Sequence, residues 1–456
     1  MFRKFTNGCV KLVQKYLPDP FIFASALTFV VFILGIIITK QTPLEMAIHW
    51  GEGFWSLLAF SMQMALVLVF GHALANAPAF NRLLKRLAKI PKNQFQAIII
   101  VTFVSLLACW INWGFGLVIG AIFAKEVAKV VKKVDYRLLI ASAYSGFLVW
   151  HAGLSGSIPL TVAGGGDAVK KLTQGVIDSP IPTSQTIFNP VMIGILVVIF
   201  LTLPLVNRAM HPSEKETVTI DPSLLHDDEN IDVEVKNRKN LTPADKVETS
   251  PVISILLCIL GFSYIIYYFA TQGFNLNLDI VNVIFLFLGI LLHKTPRNYV
   301  RAISEATKGA AGILLQFPFY AGITGMMIGT NAAGISLAGE MSIAFVSISN
   351  RITFPVFSFL SAGLVNFFVP SGGGQWAVQA PIMLPAGQAL GISPAIVSMS
   401  IAWGDAWTNM IQPFWALPAL GIAGLGAKDI MGFCLIDLLY SGIIIITGFL
   451  LCGFIF

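Results

Sequence analysis

Eleven long apolar runs, separated by short polar segments, govern what this chain can become. They fall at residues 20–39, 54–76, 95–124, 138–163, 187–206, 251–271, 279–293, 309–330, 353–391, 395–421 and 430–456. About 20 apolar residues in a helix cross a bilayer. Charged residues make up only 11 % of the chain and hydrophobic ones 56 %, whereas a soluble domain carries about 25 % charge. The chain cannot cover itself with a polar surface, so lipid is its solvent and the fold class is an all-α polytopic membrane protein. The first run, Phe21 to Thr39, is long and lacks a small-residue cleavage pattern, which reads as a retained span rather than a signal peptide. Cys9, Cys109, Cys258, Cys434 and Cys452 show no paired or histidine-linked spacing, so neither a disulfide frame nor a metal site is expected. The net charge of +6 sits in short loops; it serves orientation rather than nucleic acid.

Loop charge sets the topology. Arg3, Lys4, Lys11 and Lys15 place the N-terminus in the cytoplasm; Arg82 to Lys92 and Lys125 to Arg137 place the loops flanking 95–124 on that same side. The segment 95–124 therefore enters and leaves from one face. Thirty residues with Gly114, Gly116 and Gly120 near the middle are short for two spans and predict a re-entrant hairpin. Continued along the chain, this places 25 of the 29 Lys and Arg inside, leaving Lys40, Lys170, Lys171 and Arg351 outside. The expectation is about nine spans, two hairpins and an external C-terminus.

Polar landmarks recur. Asn112 follows Gln63 by 49 residues, and Asn366 follows Gln316 by 50. Beyond each lies a Trp-containing, polar-interrupted segment, Trp150 to Pro159 and Trp403 to Pro413, at an offset of roughly 255 residues. The charge topology makes the copies run in opposite directions, and inverted repeats with interrupted helices point to a secondary transporter. The predicted layout is a first repeat over 1–206 with a hairpin near 95–124, a polar cytoplasmic linker over 207–250, an extra span over 251–278, and a second repeat over 279–456 with a hairpin near 353–391. The rival classes are an anion channel and an intramembrane serine hydrolase. The latter rests on Gly153-Leu154-Ser155-Gly156 with Ser155 as nucleophile, but His293 lies at a loop edge and His151 is too close in sequence to be an obvious base. An enzyme is not expected.

Leu17-Pro18-Asp19-Pro20, Ile111-Asn112-Trp113-Gly114-Phe115-Gly116, Gln316-Phe317-Pro318-Phe319-Tyr320, Val369-Pro370-Ser371-Gly372-Gly373-Gly374 and Gln412-Pro413-Phe414-Trp415 resemble the AtoE-type short-chain fatty acid transporters of the ion transporter superfamily. The resemblance covers nearly the whole chain and is weakest over 207–250. It implies a scaffold domain, a transport domain with two opposed hairpins, elevator-type movement, and uptake of acetoacetate, butyrate or close relatives across a bacterial inner membrane. It implies no cofactor beyond a coupling ion, Na+ or H+. The partners are the monocarboxylate and the bilayer, with a homodimer compatible.

No Lys or Arg lies inside any apolar run, so a carboxylate must be met by backbone N–H groups at broken-helix N-termini, amides and hydroxyls. The expected substrate residues are Asn112, Trp113, Gly114, Ser155, Ser157, Asn366, Ser371, Gly372, Gly373, Gly374 and Gln375. Only Asp405 and Asp437 are acids well inside apolar runs. A buried acid costs about 2.5–3.5 kcal/mol on insertion scales and is functional by default. Asp405 with Thr408, Asn409, Gln412 and His151 forms the expected ion-coupling set. Asp437, nearer a span end, and His72 are read as packing residues.

Overall fold

The computed structural model describes residues 2–221, 242–273 and 277–455. Residues 222–241 of the predicted linker 207–250 lie outside the described residues. Its start is tied down: Val218 N–H donates to Asp135 Oδ2 at 2.8 Å, and its carbonyl accepts from Tyr136 N–H at 2.8 Å.

Among the described residues the chain is helical, with one isolated β-bridge between Thr330 and Ser336. Many helices begin at a side-chain cap followed by proline, as at Asn189–Pro190, Ser250–Pro251 and Ser393–Pro394. The cap satisfies an orphan N–H and the proline needs none, so the sequence marks each start locally.

Seven of these helices are long and apolar enough to cross a membrane: Phe21–Thr39, Gln94–Ile111, Tyr136–Gly164, Pro190–Ala209, Pro251–Gln272, Pro296–Ile328 and Ala427–Cys452. The predicted runs 54–76 and 279–293 yield shorter apolar helices, Ser61–Asn76 and Asp279–His293. Burial sorts the seven. Phe21–Thr39 and Pro251–Gln272 are only 22 % buried, whereas Tyr136–Gly164 is 94 % buried. The former present Phe29, Ile33, Leu256 and Leu260 outward as lipid-facing surface; the latter runs through the protein's centre.

Two helix pairs double back. Gln94–Ile111 and Trp113–Val130 meet at Asn112, and a Cβ placed on Gly116 or Gly120 would lie 2.4 Å from Cys109 N or 2.6 Å from Ser105 Oγ on the other arm. These glycines allow two backbones to touch; they do not break the helix, as their place in the middle of 95–124 had implied. The second arm also runs on to Val130. Each arm has 18 residues, about 27 Å of helix, so the length argument for a short hairpin falls away. The second pair is Phe354–Asn366 and Gly372–Ala389, joined through Phe367–Ser371. Gln375 Nε2 donates to Ala362 O at 2.8 Å, and Gln379 Nε2 to Ser361 Oγ at 3.1 Å.

Two interrupted segments share one order of conformations. Tyr136–Tyr144 passes into a 3-10 stretch, Ser145–Ala152, then extended Gly153, then helix Ser157–Gly164. Pro394–Thr408 passes into 3-10 Asn409–Ile411, then extended Gln412, then helix Pro413–Ala423. They cross antiparallel: Tyr144 Oη donates to Asn409 O at 2.5 Å, while His151 Nδ1 lies 3.1 Å from Ala402 O.

Candidate functional site

The four breaks in these elements are bonded into one buried cluster. At the first, Asn112 is extended, ends Gln94–Ile111 and caps the next helix, its Oδ1 accepting from Phe115 N–H at 2.9 Å. Trp113 N–H donates to Ser155 Oγ at 3.0 Å, and Leu154 N–H to Trp110 O at 2.8 Å. A Cβ on Gly153 would sit 2.2 Å from Trp110 O, so the first bend and the first interrupted segment fit only through that glycine.

Two residues before Gly153 the same segment meets Pro394–Thr408. His151 is fully buried, with Nδ1 2.9 Å from Asp405 Oδ2 and Nε2 2.8 Å from Ser157 Oγ. Gly372, at the start of Gly372–Ala389, lies directly on this pair; a Cβ there would fall 2.5 Å from His151 Cε1 and 2.6 Å from Ser157 Oγ. Gly373, the next residue, is exposed and its Cβ position meets nothing within 4 Å. Ser371 caps the helix, its Oγ accepting from Gly374 N–H at 3.2 Å. The helix N-terminus, with its orphan N–H groups, thus stands beside a serine hydroxyl and an open space.

Asn366 organises the other side. Its Nδ2 donates to Asp405 O at 2.8 Å, Thr408 Oγ1 at 3.0 Å and Asn409 Oδ1 at 2.6 Å. Gln412 Nε2 donates to Asn366 O at 2.9 Å and Phe367 O at 3.2 Å. The amide nitrogens are consumed in holding the breaks together. Left over are oxygens: Asp405 Oδ1, Asn366 Oδ1 and Gln412 Oε1 are buried without a hydrogen-bond partner. Unpaired buried acceptors are costly, and acceptors alone, one from a carboxylate, are what a cation requires.

The expected residues thus divide. His151, Ser157, Gly372, Asp405, Asn366, Thr408, Asn409 and Gln412 join directly in contacts, and Asn112, Trp113 and Ser155 join the same cluster at its first bend. Gly114 is buried within the first turn after Asn112. Gln375 spends its nitrogen on Ala362 O and Gln379 Oε1 inside the second pair, at 2.8 and 2.7 Å. Ser155 Oγ accepts from Trp113 N–H at 3.0 Å. Sequence reading missed Gln379, whose Nε2 donates to Ser361 Oγ and Ser342 Oγ, both at 3.1 Å, and Tyr144. Gln379 carried a usable signal, since it follows Gln375 by one helical turn in an otherwise apolar helix; Tyr144 carried none. Asp437, read as a packing residue, is fully buried with both carboxylate oxygens unpartnered.

A family model described as short chain fatty acid transporter matches residues 1–452. A protein of Escherichia coli K12 named "Putative short-chain fatty acid transporter" is 46 % identical over 448 residues, covering 98 % of this chain and 99 % of its own length. A Haemophilus influenzae protein of the same name is 46 % identical over 454 residues, again covering 98 % and 99 %. Among solved structures, the Alcanivorax borkumensis YdaH transporter aligns over 96 % of this chain and 98 % of its own at 15 % identity and a TM-score of 0.45.

Proposed function

The chain belongs to the short chain fatty acid transporter family, and from that premise we propose that it is a secondary active transporter taking up short-chain monocarboxylates together with a coupled cation, Na+ or H+. The observation that carries this reading is the meeting of four helix breaks around His151, Ser157, Gly372 and Asp405. The N-terminus of Gly372–Ala389 and the Ser157 hydroxyl offer donors to a carboxylate, and the unpaired oxygens of Asp405, Asn366 and Gln412 offer acceptors to a cation. In this reading the doubled-back pairs are re-entrant elements entering from opposite faces, and the halves are inverted copies; the antiparallel crossing of the interrupted segments supports it. The pairs and interrupted segments form a transport domain that moves as an elevator against the peripheral helices. The 25-to-4 division of Lys and Arg supports a cytoplasmic N-terminus and a periplasmic C-terminus in a bacterial inner membrane.

Inward movement of an anion is opposed by about 2.3 kcal/mol per charge per 100 mV, so accumulation needs an accompanying cation. The test is uptake of labelled butyrate into proteoliposomes with sodium and proton gradients imposed separately. Saturable, gradient-driven uptake and counterflow are expected. Uptake no faster than in protein-free vesicles removes the reading, and flux without counterflow replaces it with a channel. Asp405–His151–Ser157 also stands in the order of a hydrolytic relay, which gives a second reading. A fluorophosphonate probe decides it, and labelling of Ser157 is the outcome that favours hydrolysis.

A further inference from the structure

We propose that the tail of the carboxylate lies in a cleft between the short helix Leu337–Ser347 and the outer face of Gly372–Ala389, and that Glu340 makes the far end of this cleft reject a second carboxylate while accepting a neutral or cationic end. The proposal rests on the transporter reading given above and adds the part of the protein that selects among substrates.

Gly372–Ala389 has two unlike faces. Gln375 and Gln379, one turn apart, are fully buried and spend their amides on Ala362 O, Ser361 Oγ and Ser342 Oγ. Gly374, Ala377, Val378, Pro381 and Ile382 follow at spacings of three and four residues, so they share the side turned away from those amides. They form one wall of a cleft of about 580 Å³, whose other wall includes Glu340 and Ile343. The open space at Gly373 leads into it, because Ala377 lies one turn beyond Gly373 on the same side. A carboxylate held by the N–H groups of the first turn therefore has an apolar channel running on from it along the helix.

The contacts between the two helices fix where Glu340 stands. Ser342 Oγ accepts from Gln379 Nε2 at 3.1 Å, and a Cβ on Gly339 would lie 3.6 Å from Ile382 Cδ1. Glu340 is thus level with residues 379–382, about 8–12 Å along the helix from Gly374. A four-carbon tail ends short of it, and a six-carbon tail approaches it. Among the described lining residues Glu340 alone is charged, and its carboxylate forms no ion pair or hydrogen bond with any described residue. With no counter-ion to offset it, its field acts on whatever occupies the cleft. It repels an anionic end, leaves a methyl end alone and attracts an ammonium. Selection of this kind works through the repulsive element as much as through the apolar wall.

The experiment uses purified full-length protein in liposomes exchanging labelled butyrate, buffered near neutral pH on both sides. Protein-free liposomes set the background, because undissociated acids cross lipid unaided. Acetate, butyrate, hexanoate, adipate and 6-aminohexanoate serve as unlabelled competitors. From acetate to hexanoate the inhibition constant should fall about twofold to fourfold per added CH₂, as expected for a methylene partly to fully buried. In wild type, adipate should compete at least tenfold less well than hexanoate, and 6-aminohexanoate should outcompete adipate. Glu340→Gln should narrow the hexanoate-to-adipate ratio at least fivefold, and Glu340→Lys should place adipate ahead of 6-aminohexanoate. Ala377→Leu, which fills the cleft beyond Gly373, should lower the hexanoate-to-acetate ratio at least fivefold, a readout independent of either Glu340 variant. A competitor order unmoved by the Glu340 variants, or no gain from acetate to hexanoate in wild type, overturns the cleft and leaves the transporter reading standing. Absence of any butyrate exchange in wild type overturns both.

Discussion

At the first bend one residue, Asn112, both ends Gln94–Ile111 and caps Trp113–Val130, whereas at the second the chain spends Phe367–Ser371 between the arms and divides the work. Ser371 takes the capping role there, and Asn366, the counterpart of Asn112 by spacing, reaches across to Asp405, Thr408 and Asn409 instead. The first bend is closed by a backbone donor on Ser155. The second leaves Gly373 facing open space and Asn366 Oδ1 unpaired. Positions matched by spacing make unequal contacts: Asn112 caps the helix after its own bend, while Asn366 reaches across to Asp405, Thr408 and Asn409 and keeps an unpaired oxygen.

The largest effect expected from that contrast is at Gly372. Alanine there must displace His151 or Ser157, so Gly372→Ala should abolish butyrate uptake, at least a hundredfold, with protein still present in the membrane. Alanine at Gly116 meets the Cys109 backbone at 2.4 Å, and overpacking of this kind costs about 1–3 kcal/mol. Gly116→Ala should therefore lower thermal stability in detergent first and uptake only in proportion. Gly373→Ala enters open space and should leave stability unchanged. If Gly116→Ala and Gly372→Ala give the same ratio of lost uptake to lost stability, the two bends are equivalent supports and the contrast fails.

Next comes Asp405→Asn. It removes the carboxylate from the second bend's cluster and keeps its shape. Gradient-driven accumulation should fall at least tenfold further than exchange measured without a gradient. A matched Ser155→Ala change, at the first bend, should reduce both by the same factor, because it loosens a support without touching the ion. Equal losses in accumulation and exchange for Asp405→Asn would assign Asp405 to structure.

A smaller difference separates the two asparagines. The Asn112 cap is worth about 1 kcal/mol, and serine or aspartate can also cap a helix. Removing Asn366 unmakes three hydrogen bonds in a buried site, where each unsatisfied group costs about 1–3 kcal/mol. Asn366→Ser should melt well below Asn112→Ser, read by loss of intrinsic tryptophan signal on heating. Melting of the two at one temperature would return Asn366 to a capping role.

The breaks themselves were legible, because Asn, Gly and Pro interrupt apolar runs for local reasons that need no tertiary knowledge. The pairing 353–391 and both interrupted segments follow from that punctuation. What lies across the cluster was not legible. Asp405 and His151 meet only because two segments cross antiparallel, and nothing local in either records the other. Ser155 and Ser157 both stood out as polar residues, but the helix Ser157–Gly164 begins between them, and Ser155 meets Trp113 while Ser157 meets His151. The choice among three consecutive glycines depends on helix rotation: Gly372 faces the histidine and Gly373 faces space. The glycines of the first pair misled for the related reason that a glycine within a membrane helix signals close contact as readily as a break.

The smallest expected effect lies outside both bends and calibrates them. Asp245, in the short helix Pro243–Glu248, is tied to Arg297 and shares a capping box with Thr242. The Arg297 guanidinium, then Thr242, hold its carboxyl down at about 2 against an ordinary 3.8. A depressed carboxyl stabilises the folded state at pH above its unfolded value and loses that contribution as pH falls through the folded one. The contribution is therefore complete near neutrality and fades from about 3.8 down to about 2. The pair is solvent-screened, so Asp245→Asn should lower Tm by at most about 2 °C at pH 7, with the gap to wild type narrowing as pH falls through that window. Uptake should be unchanged, since this tie joins helices away from the four breaks. A loss of uptake in Asp245→Asn comparable to that in Asp405→Asn would mean that the polar segment ahead of Pro251 takes part in transport, and that comparing the two bends alone leaves out a moving part.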